Sequence, residues 1–129
     1  MDYVKVAGKD IPVLLAITAQ EQEKGLMYQS DPPPAMAFIY DKPTLNQFWM
    51  KNCSFKLDLL FCLKNKVAAI RTGEPNSTAI IGNGIISDLV IEMPFGTCAK
   101  AGIKEGSEIS LELEADSKMK ILSSKVFHY

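Results

Sequence analysis

Short runs of aliphatic and β-branched residues recur along this chain, and glycine, proline or asparagine ends most of them. Two such runs, Tyr3 to Ala7 and Ile11 to Ile17, flank Gly8-Lys9-Asp10, which predicts a β-hairpin. Further strands are predicted over residues 36–40, 47–52, 57–63, 67–72, 89–93, 107–114 and 119–127. Strands at this spacing, with little helix between them, favour an antiparallel β-sandwich or a partly open barrel. A parallel α/β sheet would need crossover helices, which the sequence does not predict.

One or two short helices complete the expected secondary structure. Thr18 and Glu21 have the spacing of a capping box, in which each side chain can bond to the backbone amide of the other residue, so we expect a helix over residues 19–26. The run Asp31-Pro32-Pro33-Pro34 cannot continue a helix, because proline lacks an amide proton and restricts the residue before it. A single helical turn is expected over residues 97–101. The predicted fold class is mainly β.

The composition is typical of a soluble globular protein, with 47% hydrophobic and 22% charged residues. A length of 129 residues fits a single domain over residues 1–129. The net charge is −1 and charges of both signs are interspersed, so we expect neither a nucleic acid nor a membrane as a partner. The first residues lack the basic and apolar regions of a signal peptide, and a cytoplasmic location is therefore expected. The oligomeric state stays open, since an unpaired edge strand could pair across a twofold axis.

The cysteines and the histidine do not form a pattern that predicts a metal or a cofactor. Cys53, Cys62 and Cys98 are an odd number without CxxC spacing, and we expect three reduced, mostly buried thiols. The single histidine, His128, is the penultimate residue and makes a poor catalytic base. Gly82-Asn83-Gly84 precedes no predicted helix, so a phosphate-binding loop is not indicated. Neither a metal site nor a cofactor is predicted.

Polar residues interrupt the apolar strands in one region. The segment Phe48-Trp49-Met50-Lys51-Asn52 contains the only tryptophan of the chain. If this segment is a regular strand, Trp49 and Lys51 share one side and Asn52 faces the other. An indole beside an ammonium could bind an anionic or sugar-like ligand. The alternative is a core tryptophan that the lysine stem covers.

Two carboxylates are further candidates. Asp58 shares a strand face with Leu60 and Cys62, so it is either held for ligand binding or proton transfer, or it pairs with Lys51 or with backbone amides for structural reasons. Glu92 interrupts the apolar run 89–93 and either faces solvent or joins the polar cluster. The distance between the two carboxylates decides whether they could act as a catalytic pair.

Several motifs in this order resemble those of domain of unknown function (DUF) family 192, a set of small uncharacterised prokaryotic proteins. These motifs are Glu21-Gln22-Glu23-Lys24-Gly25-Leu26-Met27, Phe48-Trp49-Met50-Lys51-Asn52, Leu57-Asp58-Leu59-Leu60-Phe61, Glu92-Met93-Pro94-Phe95-Gly96-Thr97 and Gly102-Ile103-Lys104-Glu105-Gly106. The resemblance spans about residues 13–113 and implies a single β-sandwich domain without an established activity. Members of the family usually carry arginine where this chain has Gln22 and Gln29, and glutamine offers no fixed charge to an anion.

Three hypotheses follow for the function. The first is a small binding or accessory domain with a recognition site around Trp49, Lys51, Asn52, Asp58 and Glu92, and with a small molecule, a saccharide or a protein segment as its partner. The second is an enzyme that uses Asp58 or Glu92 as a general acid/base and Lys51 as an electrostatic stabiliser. The third is a structural module in which the polar cluster only fixes the strand register. A concave pocket at these residues would favour the first two.

Overall fold

Two β-sheets and three short helices make up the part of the chain that the computed structural model describes, residues 1–126. In chain order the elements are β1 (Tyr3–Val6), β2 (Lys9–Pro12), β3 (Leu14–Ala16), α1 (Ala19–Lys24), β4 (Met36–Leu45), β5 (Leu57–Leu63), β6 (Lys66–Gly73), β7 (Ile86–Pro94), α2 (Thr97–Ala101), β8 (Ile109–Glu112) and α3 (Ala115–Val126). The helices of this range are too short and too polar to span a membrane.

The strands form a sandwich of two open sheets. A three-stranded sheet has the order β2-β1-β8, and a five-stranded sheet has the order β3-β4-β7-β5-β6. All neighbouring strands are antiparallel except β3 and β4, which run parallel. The prediction of a mainly β, largely antiparallel sandwich is confirmed. Helix α1 joins the parallel pair as a crossover, so the sequence does contain one such helix.

The second predicted strand, Ile11 to Ile17, serves both sheets. Strand β2 pairs with β1 in the predicted hairpin, and after Val13 the chain continues as β3, which pairs with β4 in the other sheet. The Val13 amide donates a 3.0 Å hydrogen bond to the Asp2 carbonyl, and its side chain is buried. One short run therefore links the two layers.

The two faces of the five-stranded sheet are covered differently. On one face, Leu60, Cys62 and Ile91 pack against Val4 and Ile109 of the three-stranded sheet. On the opposite face lies a second core, whose buried members include Leu26, Phe38, Met50, Cys53, Leu57, Leu59, Phe61 and Val90. This second face is covered by the region of α1 and by the irregular segment 46–56. Leu57, Leu59 and Phe61 share it, as the period-two pattern of β5 predicts.

The predicted capping box is present at the start of α1. The Thr18 hydroxyl accepts a 3.1 Å hydrogen bond from the Glu21 amide, and the Glu21 carboxylate accepts one from the Thr18 amide. The helix ends at Lys24, two residues before the predicted end, where Gly25 adopts a φ of 47°. The Gly25 amide donates a hydrogen bond to the Glu21 carbonyl, so Gly25 caps the C-terminus of the helix.

Two predicted strands are wrong. Residues 47–52 contain only one isolated bridge, between Phe48 and Ile81, and Asn52 adopts a left-handed φ of 59° that no regular strand contains. Residues 119–126 belong to α3, because Ala115-Asp116-Ser117-Lys118-Met119-Lys120 lacks β-branched residues and places an aspartate in the first helical turn. Phe127 and His128 lie outside the described residues.

Candidate functional site

A cavity of about 370 Å³ lies on the second face of the five-stranded sheet. Helix α1 and the turn after it line one side, and the segment 46–53 lines the other. Strand β4 contributes Phe38 and Tyr40, and β7 contributes Glu92. The cavity therefore exists where α1 with its following turn and the irregular segment 46–53 cover the sheet without filling the space between them.

Glu92 is the buried charged residue of this cavity. It lies in the central strand β7, opposite Met36 of β4 and Leu59 of β5, and only 5% of it is exposed. Burial raises the pKa of its carboxyl to about 7. None of the hydrogen bonds or ion pairs found within residues 1–126 involves this carboxyl. Every fully enclosed polar side-chain atom in that range has a hydrogen-bond partner, so the carboxyl oxygens of Glu92 are not fully enclosed. The carboxyl oxygens therefore face the cavity itself.

Two further ionisable groups lie close to Glu92. Burial raises the pKa of the Tyr40 phenol, and the negative charge of Glu92 raises it further. Burial also raises the pKa of the Cys53 thiol, with a smaller contribution from Glu92. Both groups are therefore uncharged near neutral pH, and of these three neighbours Glu92 is the one that changes its charge there.

Aromatic rings contribute to the remaining wall of the cavity. Phe48 stands edge-on to Phe38, with ring centroids 4.9 Å apart, and it stands edge-on to Phe61 at 5.9 Å. Trp49 lies beside the cavity and is 44% exposed. The Lys51 ammonium lies 5.2 Å from the centroid of the indole ring, so these two residues share one side, although their segment is not a strand. The tryptophan is thus not a core residue.

The structure brings together three of the five candidate residues, because Trp49, Lys51 and Glu92 all line the cavity. Asn52 does not line it. Its side-chain amide donates a 2.8 Å hydrogen bond to the Tyr28 hydroxyl, and its backbone carbonyl accepts one of 2.9 Å from the Tyr28 backbone amide. Asn52 therefore ties the turn after α1 to the segment 46–53, and its contribution to the site is the position of these two walls.

Asp58 lies on the other face of the sheet. It stands opposite Met93, whereas Glu92 stands opposite Leu59, so the two carboxyls point to opposite faces. One Asp58 oxygen accepts hydrogen bonds of 3.1 Å from the amides of both Gly96 and Cys98, at the start of α2. Asp58 therefore bonds to backbone amides, which is the structural role that the sequence left open as the alternative to ligand binding. Because the two carboxylates lie on opposite faces of the sheet, they cannot act on one substrate.

Several cavity residues were not singled out by the sequence. Phe38 and Tyr40 lie in a predicted strand, and their alternation with Ala37 and Ile39 indicates a common face, but nothing in that run points to a cavity. Asn46 is buried, and its side-chain amide donates to the carbonyl and hydroxyl of Ser87 at 3.0 and 2.9 Å. Its role depends on a residue 41 positions away, which local patterns do not reveal.

Gln22 occupies a position at which the family resemblance leads us to expect arginine. Its side-chain amide donates to the carbonyls of Ala16 and Ile39, at 3.1 and 2.9 Å. It therefore joins α1 to β3 and β4 at the cavity wall, and it brings no positive charge there. Within residues 1–126, groups of three or more histidine, cysteine, aspartate or glutamate side chains suited to a metal ion were not found.

Fold and site together define a small β-sandwich domain with a ligand-sized cavity over one face of its larger sheet. The chain belongs to the DUF192 family, described as “Uncharacterized ACR, COG1430”, which it matches over residues 3–111. The family resemblance read from the sequence motifs is thus confirmed. No match was found among curated proteins.

Two crystal structures of bacterial proteins are similar to this chain. One, from Sinorhizobium meliloti, is described as a “putative transcription regulator”; it is 29% identical with a TM-score of 0.78, over 84% of this chain and 92% of that one. The other, a protein of unknown function from Novosphingobium aromaticivorans, is 28% identical with a TM-score of 0.77, over 84% and 83% of the two chains. Neither description states a ligand or a reaction.

Proposed function

We propose that this protein is a binding domain for a small organic molecule, which occupies the cavity between α1 and the segment 46–53. One observation carries the proposal: Glu92, buried in the central strand, presents its carboxyl to a cavity of about 370 Å³ without a hydrogen-bond donor from residues 1–126. Cavities of this size that combine aromatic and apolar wall residues with a few convergent polar groups, here including the Glu92 carboxyl, are typical of small-molecule sites.

The buried polar residues of this protein differ in a way that supports a ligand site. Asp58 accepts two backbone amides, and Asn46 donates to both oxygens of Ser87, so each has an evident structural role. Glu92 is as buried as Asp58 but has no comparable contact. An unpaired buried carboxyl destabilises a fold. Its presence in a central strand is explained if a bound molecule supplies the missing partner.

The cavity volume limits the size of the ligand. A cavity of about 370 Å³ has room for roughly a dozen water molecules at ~30 Å³ each. It suits a small molecule or a single side chain better than an extended saccharide or a long protein segment. Trp49, half-exposed at the cavity, would contact the outer part of the ligand.

An enzyme remains the second candidate, because a carboxyl with a pKa of about 7 is suited to general acid/base catalysis at neutral pH. Glu92 would then be the acid/base, since Asp58 lies on the other face of the sheet. A turnover assay on molecules that bind distinguishes the two functions. Binding without consumption supports a binding domain, and consumption that Glu92→Gln abolishes supports an enzyme.

Trp49 provides the test of the proposed function, since it is the only tryptophan and lies at the cavity. We expect members of a panel of small amines, alcohols, sugars and carboxylic acids to change its fluorescence and raise the melting temperature. A ligand at 100 times its Kd stabilises a protein by about 2.7 kcal/mol. A panel without any effect on either measurement contradicts the proposal.

A matched pair of variants locates the binding. Leu45 and Ile86 are partners in neighbouring strands and are both exposed, but only Leu45 lines the cavity. Leu45→Tyr should weaken binding several-fold, because the larger ring narrows the entrance, while Ile86→Tyr should leave it unchanged. Equal binding by both variants would place the ligand elsewhere on the surface.

A further inference from the structure

Resting on the proposed function, we infer that the cavity recognises a positively charged amine, which binds the Glu92 carboxylate between aromatic walls. The charged residues that line the cavity are Glu23, Lys24, Lys51 and Glu92. The first three are exposed and Glu92 is buried, so the charge that can develop inside the cavity is negative. A cation is the ligand that complements it.

The walls favour a cation for a second, independent reason. Phe38, Tyr40 and Phe48 line the same cavity as Glu92, and Trp49 lies at its exposed side. Aromatic rings attract ammonium groups through the negative potential of their faces, most strongly where water is excluded. At the cavity entrance the protein already pairs an ammonium with a ring, since the Lys51 nitrogen lies 5.2 Å from the Trp49 centroid.

Other ligand classes fit these groups less well. A carboxylate or phosphate would meet the repulsion of an ionised Glu92, and Gln22 has no charge to offset it. A sugar or an alcohol could donate a hydrogen bond, but it brings no charge to stabilise the ionised carboxyl. An ammonium offers both the hydrogen bonds and the charge. Glu23, Lys24 and Lys51 at the entrance are exposed, where water and salt weaken their effect on the cavity interior.

Three probes of equal length test the inference: n-butylammonium, 1-butanol and butyrate, titrated against the whole protein and followed by Trp49 fluorescence and ligand-observed NMR. We expect butylammonium to bind at least tenfold more tightly than the other two. Glu92→Gln, which retains the shape of the side chain, should reduce butylammonium binding to the level of butanol. Glu74→Gln, at an exposed glutamate paired with Lys56, should not change the preference.

The pH dependence of the unmodified protein gives a measurement that does not depend on the folding of a variant. Ligand binding should strengthen between pH 6 and 8, as Glu92 ionises. Tyr40 and Cys53, the ionisable neighbours from β4 and the segment 46–53, have raised pKa values and stay uncharged in this range. Glu23, Lys24 and Lys51 face the cavity from α1 and that segment, and Lys51→Met should retain the same pH dependence.

The outcomes separate this inference from the proposed function. If butanol or butyrate binds as tightly as butylammonium, or if no amine binds while an alcohol, sugar or carboxylic acid of the panel does, the inference of an amine ligand is wrong and the proposed small-molecule site stands. If no compound of the whole panel binds, both fail. Nα-acetyl-lysine methylamide distinguishes the source of the amine: binding equal to that of butylammonium indicates a lysine side chain, and weaker binding indicates a free amine. Either result supports the recognition of an ammonium.

Discussion

Two carboxylates in neighbouring strands show how strongly the role of a residue depends on its surroundings. Asp58 and Glu92 are both 5% exposed. Asp58 accepts two amides of the α2 turn, whereas Glu92 faces a cavity and has a pKa raised by burial to about 7. A satisfied carboxylate stabilises the fold, and an unsatisfied one opposes it while remaining available to a ligand.

The pH dependence of stability tests the state of Glu92. Between pH 4.5 and 7 the folded protein holds a proton on Glu92 that the unfolded chain has lost, so the free energy of unfolding falls as pH rises. The contribution of Glu92 is complete below pH 4.5 and is lost by about pH 7, a change of roughly 3 kcal/mol at about 1.4 kcal/mol per pH unit. Urea unfolding from pH 4 to 8 measures it.

Glu92→Gln is the control for this measurement, because it removes the titration and keeps the shape. The difference in stability between the two proteins should grow with pH over this range and stay constant above about pH 8. A difference that does not change with pH would contradict a raised pKa of Glu92. Glu21 changes the stability with pH in the opposite direction. Burial opposes its charge, but hydrogen bonds from Lys120, Thr18 and Ile17 outweigh burial and lower its pKa to about 2.

Among the elements, the irregular segment 46–56 supplies the largest share of the residues that line the cavity. Scattered contacts, and not a ladder of strand hydrogen bonds, hold this segment to the rest of the protein. Two of them are the 2.9 Å hydrogen bonds from the Phe48 amide to the Ile81 carbonyl and from the Met50 amide to the Ser77 carbonyl. The close packing of this segment leaves no room for a side chain at Gly73, because a Cβ there would lie 2.4 Å from the Met50 sulfur. The site is thus positioned by long-range packing.

Helix α2 depends on Asp58, which leads to a prediction at this scale. Asp58→Ala should lower the free energy of unfolding by about 2–3 kcal/mol, because the amides of Gly96 and Cys98 lose a charged acceptor. Chemical denaturation measures the loss, and butylammonium affinity at a temperature where the variant is folded should be unchanged. Asp88→Ala is the matched control: Asp88 accepts one exposed amide, that of Lys64, and its loss should cost less than 1 kcal/mol.

At the scale of the whole molecule, the five-stranded sheet divides structure from candidate function. One face packs against the three-stranded sheet and forms a continuous apolar core, while the other face is covered by α1 and by the segments between strands. Cys62 and Cys98 lie in the first core, and Cys53 lies in the second. The three predicted reduced thiols are free and buried.

Thiol reactivity reports the stability of these two cores. Burial raises the pKa values of Cys62 and Cys98 to about 12, with a further contribution from Asp58 at Cys98, so the native thiols stay protonated. We expect an aromatic disulfide reagent at pH 8 to modify Cys62 and Cys98 only through global unfolding, with rates that rise steeply with urea. Cys53, which lines the cavity, should react faster and be protected by a bound ligand. Single Cys→Ser variants assign each rate, and fast labelling of Cys62 would contradict the prediction.

Much of the fold was predictable because its determinants are local. The bounds of β5 and of α2 agree with the prediction, since the apolar run 57–63 and the glycines around residues 97–101 define them within a few positions. The strand predicted over residues 119–127 was wrong because a short apolar pattern does not separate strand from helix. Of the five site residues predicted, Trp49, Lys51 and Glu92 line one cavity, and Asn52 and Asp58 hold neighbouring backbone in place.

The sequence by itself determined the local patterns: the alternation that gives each strand its two faces, the capping box of α1, and the motifs that identify the family. Neighbouring residues encode these features through backbone conformation and hydrogen bonding. Only the tertiary structure decided which sheet face is sealed by a second sheet and which carries a cavity. That choice depends on contacts between residues far apart in the chain, and it is the reason why Asp58 is satisfied by backbone amides while Glu92 is left open to a ligand.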